Sequence, residues 1–304
     1  MGWENLMGLA AAAHHTADYD LLFVCVSVGL ALMGSFAALV SALRIPGSGA
    51  AVRRRWVASA ALSLGGGAIW AMHFMGMVAY HVEGMDITYD LGLTALSLVI
   101  AVAVSGIGLM VVATNPRSVA RLGFGGLIAG LGVAAMHYTG MAAMRTGSTV
   151  TYDLTLVAIS VVIAVVAALA ALWIAFRVRS RNHVLAASVV MAAAVCGMHY
   201  TGMAATRVAV TSGVTQPGDG VDPITLSLAV CVLAFSILAI VIFSALGGVS
   251  ETDVFTRAAA VHGQAAPLAG GPLSPSVEGP PVDVFGRTDD AGRRGHRRDR
   301  VTRL

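Results

Sequence analysis

Long apolar stretches separated by short polar segments run through most of this chain. Seven of the stretches are long enough to cross a hydrocarbon core, which needs about 20 residues of helix. The pattern therefore predicts an all-α polytopic membrane protein with seven transmembrane helices. They are predicted at residues 21–43, 57–80, 91–113, 122–144, 154–176, 184–206 and 224–247.

The polar positions beside the apolar stretches recur in a fixed order. Tyr-Asp-Leu opens the first, third and fifth stretches, and a serine follows each aspartate by seven residues. An arginine-rich loop and a second apolar stretch complete each unit. Recurrence at one period indicates a repeat architecture, here three two-helix repeats plus a seventh helix that closes the bundle. Three aspartates are predicted to cap helix N-termini: Asp20, Asp90 and Asp153.

Composition favours the same class of protein. Hydrophobic residues make up 57% of the chain and charged residues 12%, and the mean hydropathy is +0.80. A soluble domain carries about 25% charged residues. The cysteines Cys25, Cys196 and Cys231 all lie in predicted spans, which argues against a disulfide framework.

The arginines predict the orientation, since the chain contains no lysine. They cluster in the loops after the first, third and fifth spans, so the positive-inside rule places these loops in the cytoplasm and the N-terminus outside. Because membrane topology explains these arginines, the pI of ≈ 9.0 is not taken as a sign of nucleic-acid binding. The loop arginines are Arg44, Arg53, Arg54, Arg55, Arg117, Arg121, Arg177, Arg179 and Arg181.

Three domains are predicted from these patterns. Residues 1–20 form an extracytoplasmic segment without the basic start of a cleaved signal peptide. Residues 21–247 form the membrane domain. Residues 248–304 are rich in proline, glycine and arginine and are predicted to be a disordered cytoplasmic tail. The tail is expected to contact anionic membrane lipids or a separate signalling protein.

One hexapeptide, Met-His-aromatic-Xaa-Gly-Met, occurs three times. Its histidines are 64 and 62 residues apart, and each copy lies near the outer end of the second helix of a repeat. Histidine is costly inside a bilayer, so three copies at matching depths point to a function. The copies are Met72-His73-Phe74-Met75-Gly76-Met77, Met136-His137-Tyr138-Thr139-Gly140-Met141 and Met198-His199-Tyr200-Thr201-Gly202-Met203.

The motif presents metal ligands on one face of a helix. With about 100° of turn per residue, the histidine and the methionine four positions later lie in one stripe. Imidazole and thioether together suit a soft ion such as Cu(I). Met144, Cys196 and His81 are expected to extend these stripes, and the motif glycines are expected to permit close helix contact. The predicted copper ligands are Met72, His73, Met77, Met136, His137, Met141, Met198, His199 and Met203.

Structural roles are the alternative to metal binding. A methionine at helical spacing is usually core packing, and a histidine in a membrane helix can bridge two helices by hydrogen bonds. Phe74, Tyr138 and Tyr200 are expected to be interfacial aromatics, although a hydroxyl of Tyr138, Thr139, Tyr200 or Thr201 could hold a liganding imidazole.

Met136-His137-Tyr138-Thr139 and Met198-His199-Tyr200-Thr201 resemble the signature of the MHYT domain family, and Trp70-Ala71-Met72-His73-Phe74 looks like its variant first copy. The resemblance covers residues 15–247. It implies a bacterial integral membrane sensor with seven spans, whose motifs are proposed to bind copper and to sense O2, CO or NO. Many relatives carry cyclic-di-GMP synthase and phosphodiesterase domains or other output domains, whereas here a tail follows, so output through a separate cytoplasmic partner is expected.

The leading hypothesis is a copper-dependent sensor in the cytoplasmic membrane that responds to a diatomic gas or to redox state. A bis-His haem protein and a metal-handling transporter are the alternatives. The repeats enter the membrane in one orientation, so the inverted repeats common in transporters are absent from the sequence pattern. An enzyme is not expected, because no nucleophile–base pair, nucleotide loop or carboxylate pair is found in the sequence.

Overall fold

The computed structural model describes residues 18–82, 86–146, 149–177, 181–209 and 220–264. Seven helices in this part of the chain are long and apolar enough to cross a membrane, which confirms the predicted fold class. They are α1 (Leu21–Ala42), α2 (Ala50–Val78), α3 (Leu91–Thr114), α4 (Val119–Ala143), α5 (Leu154–Arg177), α6 (Arg181–Ala204) and α7 (Pro223–Gln264).

The helix bounds correct the sequence prediction in two places. Helix α2 begins at Ala50, so Arg53, Arg54 and Arg55 lie in its first turns rather than in a loop. Helix α7 continues to Gln264, past the boundary predicted at residue 247. The rest of the predicted tail, residues 265–304, and residues 1–17 of the predicted N-terminal segment lie outside the described residues.

Six helices pack in a closed ring. Each of α1 to α5 packs against the next helix in sequence, and α6 returns to pack against α1. Ring closure is therefore made by α6 and not by the seventh helix. Helix α7 instead lies against α1 and α2, where Leu238 packs with Ala37 and approaches Gly67. In the apolar 18-residue window of α2, 94% of the residues are buried, against 17–44% in the corresponding windows of the other spans.

The middle of α2 is a π-helix, Leu62–Trp70, which contains three consecutive glycines. A Cβ on Gly65 would overlap the backbone of Ala101 in α3, and one on Gly34 of α1 would overlap the backbone at Ala68. Small residues therefore let α2 approach both neighbours to backbone contact. This packing supports the first histidine motif, which follows directly in the α-helical segment Ala71–Val78.

Each repeat is held together at one end by a two-stranded antiparallel ribbon. The ribbons pair β1 (Asp18–Tyr19) with β2 (Tyr80–His81), β3 (Thr88–Tyr89) with β4 (Met144–Arg145), and β5 (Thr149–Tyr152) with β6 (Thr206–Ala209). Each ribbon joins the start of an odd-numbered helix to the end of the next even-numbered helix. The hydrophobic pattern does not predict these short strands, because two to four residues carry no clear alternation.

The aspartates cap the odd-numbered helices as predicted. Asp20 accepts from the Leu22 amide, Asp90 from the Leu93 amide and Asp153 from the Thr155 amide, at 2.8, 2.9 and 3.0 Å.

Two of the capping aspartates also bind an arginine of the same ribbon. Asp90 pairs with Arg145 at 2.6 Å and Asp153 with Arg207 at 2.9 Å. The hydrogen bond from each arginine is the main cause that lowers the pKa of its carboxyl partner. His81 stands in the first repeat where the other two have arginine.

The chain divides into two compact units, residues 1–253 and 254–304. The helical ring, the ribbons and the histidine motifs all belong to the first unit. Of the second unit, the described part is the end of α7 up to Gln264. The three cysteines, in α1, α6 and α7, are free thiols, as predicted.

Candidate metal centre

The three motif histidines meet at the centre of the ring. His73 of α2 lies with its Nδ1 at 3.0 Å from Nδ1 of His199 and at 3.1 Å from Nδ1 of His137. All three side chains are at most 1% exposed. One ligand nitrogen from each histidine lies within 4.8 Å of the other two, and this group contains histidines alone. The repeats therefore contribute one imidazole each to a single buried cluster.

The motif glycines make room for these rings in a cyclic pattern. The His73 ring lies against Gly140, the His137 ring against Gly202 and the His199 ring against Gly76, so each histidine contacts the glycine of the next motif. A Cβ at any of these glycines would overlap the Nε2 atom of the facing imidazole. Close contact was expected at these glycines. The structure shows that the partner is a histidine and not a helix backbone.

Each histidine ring is also held by the aromatic residue that follows it. The ring centroids are 4.9 Å apart for His73 and Phe74, 4.9 Å for His137 and Tyr138, and 4.8 Å for His199 and Tyr200, all in edge-to-face geometry. The contact stabilises one ring orientation. In the described part of the chain, the three Nε2 atoms are buried and have no hydrogen-bond partner.

The tyrosine hydroxyls bond to neighbouring helices rather than to the imidazoles. Tyr138 lies 2.7 Å from the Ser160 hydroxyl and Tyr200 lies 2.9 Å from the Ser27 hydroxyl. These serines are the ones that follow each capping aspartate by seven residues. In the first motif Phe74 has no hydroxyl, and the Trp70 indole donates to Ser97 at 3.1 Å instead. The recurrent serine was the sequence signal for this contact.

The motif methionines are all buried, with at most 2% exposure. Met72 packs with Ala31 and Ala192, next to Cys196. The other five belong to the main core together with the surrounding aliphatic residues. Their role as copper ligands stays a prediction.

Two further residues do not lie where the ligand stripe was expected. Met144 lies in strand β4, after the end of α4, and His81 lies in strand β2 with its side chain exposed. The helix stripe does not reach either residue, because α2 ends at Val78 and α4 at Ala143, before the strands begin. Neither residue extends the histidine cluster.

The cluster fits a small metal ion in its donor set and charge. Three imidazole nitrogens at about 2.0 Å from an ion in a trigonal plane would be about 3.5 Å apart. Two of the three pairs here are 3.0 and 3.1 Å apart, and all ligand nitrogens lie within 4.8 Å of one another. The cluster contains no carboxylate, so its ligands are neutral. Because burying charge becomes more costly as charge increases, a monovalent soft ion such as Cu(I) suits the site better than a divalent ion.

An apolar cavity of ≈ 50 Å³ is lined by residues of the five helices α2 to α6. Met198, which precedes His199, forms part of its wall, and the other lining residues are mainly alanine, valine and leucine. Ser105 supplies the one polar side chain of the lining, and its buried hydroxyl has no partner within the described residues. The cavity is large enough for one or two small molecules.

Comparison with known proteins agrees with this repeat pattern. The model of a family described as bacterial signalling protein N-terminal repeat, MHYT, matches residues 66–125, 130–188 and 193–252. Each matched segment contains one histidine motif. The first two segments extend past the odd-numbered helix that follows the motif, and the third ends within α7. No solved structure gives a significant match.

Three curated relatives are similar to this chain over 70–74% of its length. The bifunctional diguanylate cyclase/cyclic di-GMP phosphodiesterase MucR of Pseudomonas aeruginosa is 41% identical over 74% of this chain and 33% of its own length. The cyclic di-GMP phosphodiesterase NbdA of the same organism is 36% identical over 70% and 28%. The signaling protein YkoW of Bacillus subtilis is 30% identical over 74% and 29%. The chain thus spans about a third of the length of these relatives.

Proposed function

Because the chain belongs to the MHYT family of bacterial signalling proteins and is a multi-pass membrane protein with a sensor-type domain, we propose that it senses a diatomic gas or redox state through one copper ion. The ion is held by His73, His137 and His199. The observation that carries the proposal is the convergence of these three imidazoles, one from each repeat, in a buried and carboxylate-free cluster.

The ligand set of the proposed site is three Nδ1 atoms. Bound there, Cu(I) would supply the capacity to bind O2, CO or NO or to change oxidation state. The protein contributes rigid ring positions through Gly76, Gly140 and Gly202 and excludes water by complete burial. The six motif methionines supply polarisable surroundings or further thioether ligands: Met72, Met77, Met136, Met141, Met198 and Met203.

The apolar cavity supports gas as the stimulus. A diatomic gas partitions into apolar space more readily than water does, and the cavity wall includes Met198, adjacent in sequence to His199. We infer that gas reaches the cluster from the membrane interior through this cavity. The lone Ser105 hydroxyl offers a hydrogen bond to a polarised diatomic molecule.

The signal is proposed to leave through the arginine-rich end of the bundle, which the positive-inside rule assigns to the cytoplasm. In this orientation the ribbons and the histidines lie near the outer face of the membrane. MucR and NbdA are named for the synthesis or breakdown of cyclic di-GMP. We propose that this chain controls a comparable signalling activity, which a separate cytoplasmic partner carries out. The membrane domain itself performs no catalysis in this proposal.

The decisive test is metal content after copper loading under reducing conditions. The purified wild type is expected to retain about one copper per chain, and His73→Ala, His137→Ala and His199→Ala are each expected to retain much less, since each removes one of the three imidazole ligands of the proposed site. His81→Ala is the matched control because His81 is exposed in β2 and outside the cluster.

Other outcomes identify the alternatives. Wild-type protein without stoichiometric copper would overturn the proposal and leave imidazole–imidazole hydrogen bonds as the role of the cluster. An intense Soret band would indicate haem, although nitrogens 3.0 Å apart leave no space for a macrocycle between two axial imidazoles. Copper uptake into proteoliposomes that depends on the three histidines would indicate a transporter.

A further inference from the structure

A second pocket lies at the end of the bundle opposite the histidines. Its volume is ≈ 660 Å³, and its lining includes Arg53, Arg117 and Arg177 together with Ser48 and Asn115. His73 is 20 residues from Arg53 along the same helix, a distance of about 30 Å. We propose that this pocket binds a phosphate group, carried either by an anionic lipid headgroup or by a soluble phosphate compound.

The described residues that line the pocket carry positive charge and no negative charge. None of its lining residues is a carboxylate. Both ion pairs found among the described residues, Asp90–Arg145 and Asp153–Arg207, lie at the ribbon end. The Nε atom of Arg53 is buried without a hydrogen-bond partner in the described structure. A buried guanidinium donor without an acceptor is unfavourable, and an anion in the pocket would satisfy it.

Other arginines at this end already have partners. The Arg44 guanidinium donates to the Ala245 carbonyl and stacks on Trp56, and Arg121 donates to the Thr114 hydroxyl. Arg54 and Arg55 are exposed on α2 and do not line the pocket. The arginines at this end thus differ in role. Three line the pocket, of which Arg177 also lies over the Trp173 ring at 6.0 Å, and the others are used within the protein or face solvent.

The backbone adds to the positive potential. Helix α2 begins at Ala50, two residues after the lining residue Ser48, and its N-cap, Gly49, has no side chain to accept from the first free amides. The positive end of the helix dipole therefore lies beside the pocket. Gly47, also in the lining, adopts a positive φ of 79°, which allows the loop from Pro46 to Ser48 to turn into the helix.

Each repeat supplies one of the three arginines. Arg53 starts the second helix of the first repeat, Arg117 lies between the two helices of the second, and Arg177 ends the first helix of the third. A bound phosphate would therefore connect all three repeats at the end remote from the histidines. The site does not depend on copper, and its failure would leave the metal proposal untouched.

The test is performed on the full chain in lipid nanodiscs. In phosphatidylcholine discs, binding of inorganic phosphate is measured by calorimetry. In discs containing phosphatidylglycerol, native mass spectrometry counts the anionic lipid retained by the protein. Phosphate binding in the neutral discs would identify a soluble ligand, whereas phosphatidylglycerol retention alone would identify a lipid headgroup. Either result supports the site when the variants behave as follows.

Arg53→Gln, Arg117→Gln and Arg177→Gln are each expected to weaken binding roughly tenfold, because each removes a charge-assisted hydrogen bond. Arg55→Gln is the matched control, since it removes the same charge from the same helix outside the pocket. Lysine variants, which keep the charge but lose the planar fork, are expected to retain part of the affinity and show that the fold is intact. Binding by neither probe, or an equal loss in Arg55→Gln, would overturn the proposal.

Discussion

The motif glycine and histidine act as a pair across different repeats. Gly140, for example, is in contact with the His73 ring, and the next aromatic residue, Phe74, packs against that ring from within its own helix. The ring is thus positioned by a missing Cβ on one side and an aromatic edge on the other. This explains why glycine and an aromatic residue recur in all three motifs, which metal binding alone would not require.

Gly202→Ala tests this pairing in α6. The new Cβ would overlap Nε2 of His137, so the ring must move away from the cluster. We expect loss of most of the bound copper and a lower thermal unfolding midpoint, at a cost of about 1–3 kcal/mol in the free energy of unfolding. Metal analysis and thermal unfolding measure the two effects.

Gly197→Ala is the control in the same helix, because a Cβ at Gly197 meets no atom within 4 Å. It should keep full copper content and should unfold at the same temperature or a slightly higher one, since alanine favours the helix. Equal copper content in the two variants would show that the glycine at 202 does not position the histidine.

At the scale of elements, the ribbons fix the register of the two helices in each repeat. The amide of the capping aspartate donates to a carbonyl at the end of the even-numbered helix in every repeat, as Asp90 does to Ala143 and Asp153 to Ala205. The cap and the ribbon thus share one residue. In each repeat these backbone hydrogen bonds join the start of the odd-numbered helix to the end of the even-numbered helix. Because the same bonds recur in all three repeats, the three histidines are held at equal depth.

The aspartate–arginine pairs in two ribbons predict an acid sensitivity. The Arg145 and Arg207 hydrogen bonds lower the pKa of the Asp90 and Asp153 carboxyls in the folded state. A lowered folded pKa contributes stability above the unfolded pKa of about 3.9 and loses it as pH falls through the folded pKa. The unfolding midpoint is therefore expected to fall when the pH is lowered from 5 to below 4.

The double variant Arg145→Gln/Arg207→Gln isolates this contribution. Its unfolding midpoint should fall by fewer degrees than that of the wild type over the same pH range, because the Asp90 and Asp153 carboxyls have lost the arginine partners that lower their pKa. The histidine cluster is the same in both proteins, so its protonation cancels in the comparison. Identical pH profiles for the two proteins would contradict the assignment.

At the scale of the whole molecule, the ring is closed by a contact between residues far apart in sequence. The Ser27 hydroxyl donates to Val24 at 2.7 Å, so its oxygen is left to accept from the Tyr200 hydroxyl at 2.9 Å. This bond joins α1 to α6, the first and last helices of the ring. The same serine–tyrosine contact joins α4 to α5 through Tyr138 and Ser160.

A double-mutant cycle with Ser27→Ala and Tyr200→Phe measures this closure. We expect a coupling of about 0.5–1.5 kcal/mol in the free energy of unfolding, the usual net contribution of one hydrogen bond. The control cycle pairs Ser27→Ala with Tyr138→Phe, which do not contact each other and should add. Additive effects in both cycles would show that the closing bond does not stabilise the ring.

The local features of this protein follow from residues that are close together in the chain. The length of the apolar stretches predicts the seven spans to within a few residues for most helices. The hydrogen-bonding capacity of aspartate predicts the N-caps. The spacing of the motifs predicts that the three histidines lie at matching depths. These features depend on residues near one another in the chain. The two spans with displaced ends, α2 and α7, are those in which polar residues continue the helix beyond the apolar part.

Tertiary structure decided which of these local features meet. Closure of the ring by α6 against α1 brings His199 to His73, places each imidazole on a glycine of another repeat, and gathers Arg53, Arg117 and Arg177 around one pocket. Hydropathy could not predict these contacts, since lipid and a neighbouring helix are equally apolar environments. The choice between them depends on backbone approach at small residues and on hydrogen bonds between residues distant in sequence, which only the packed helices define.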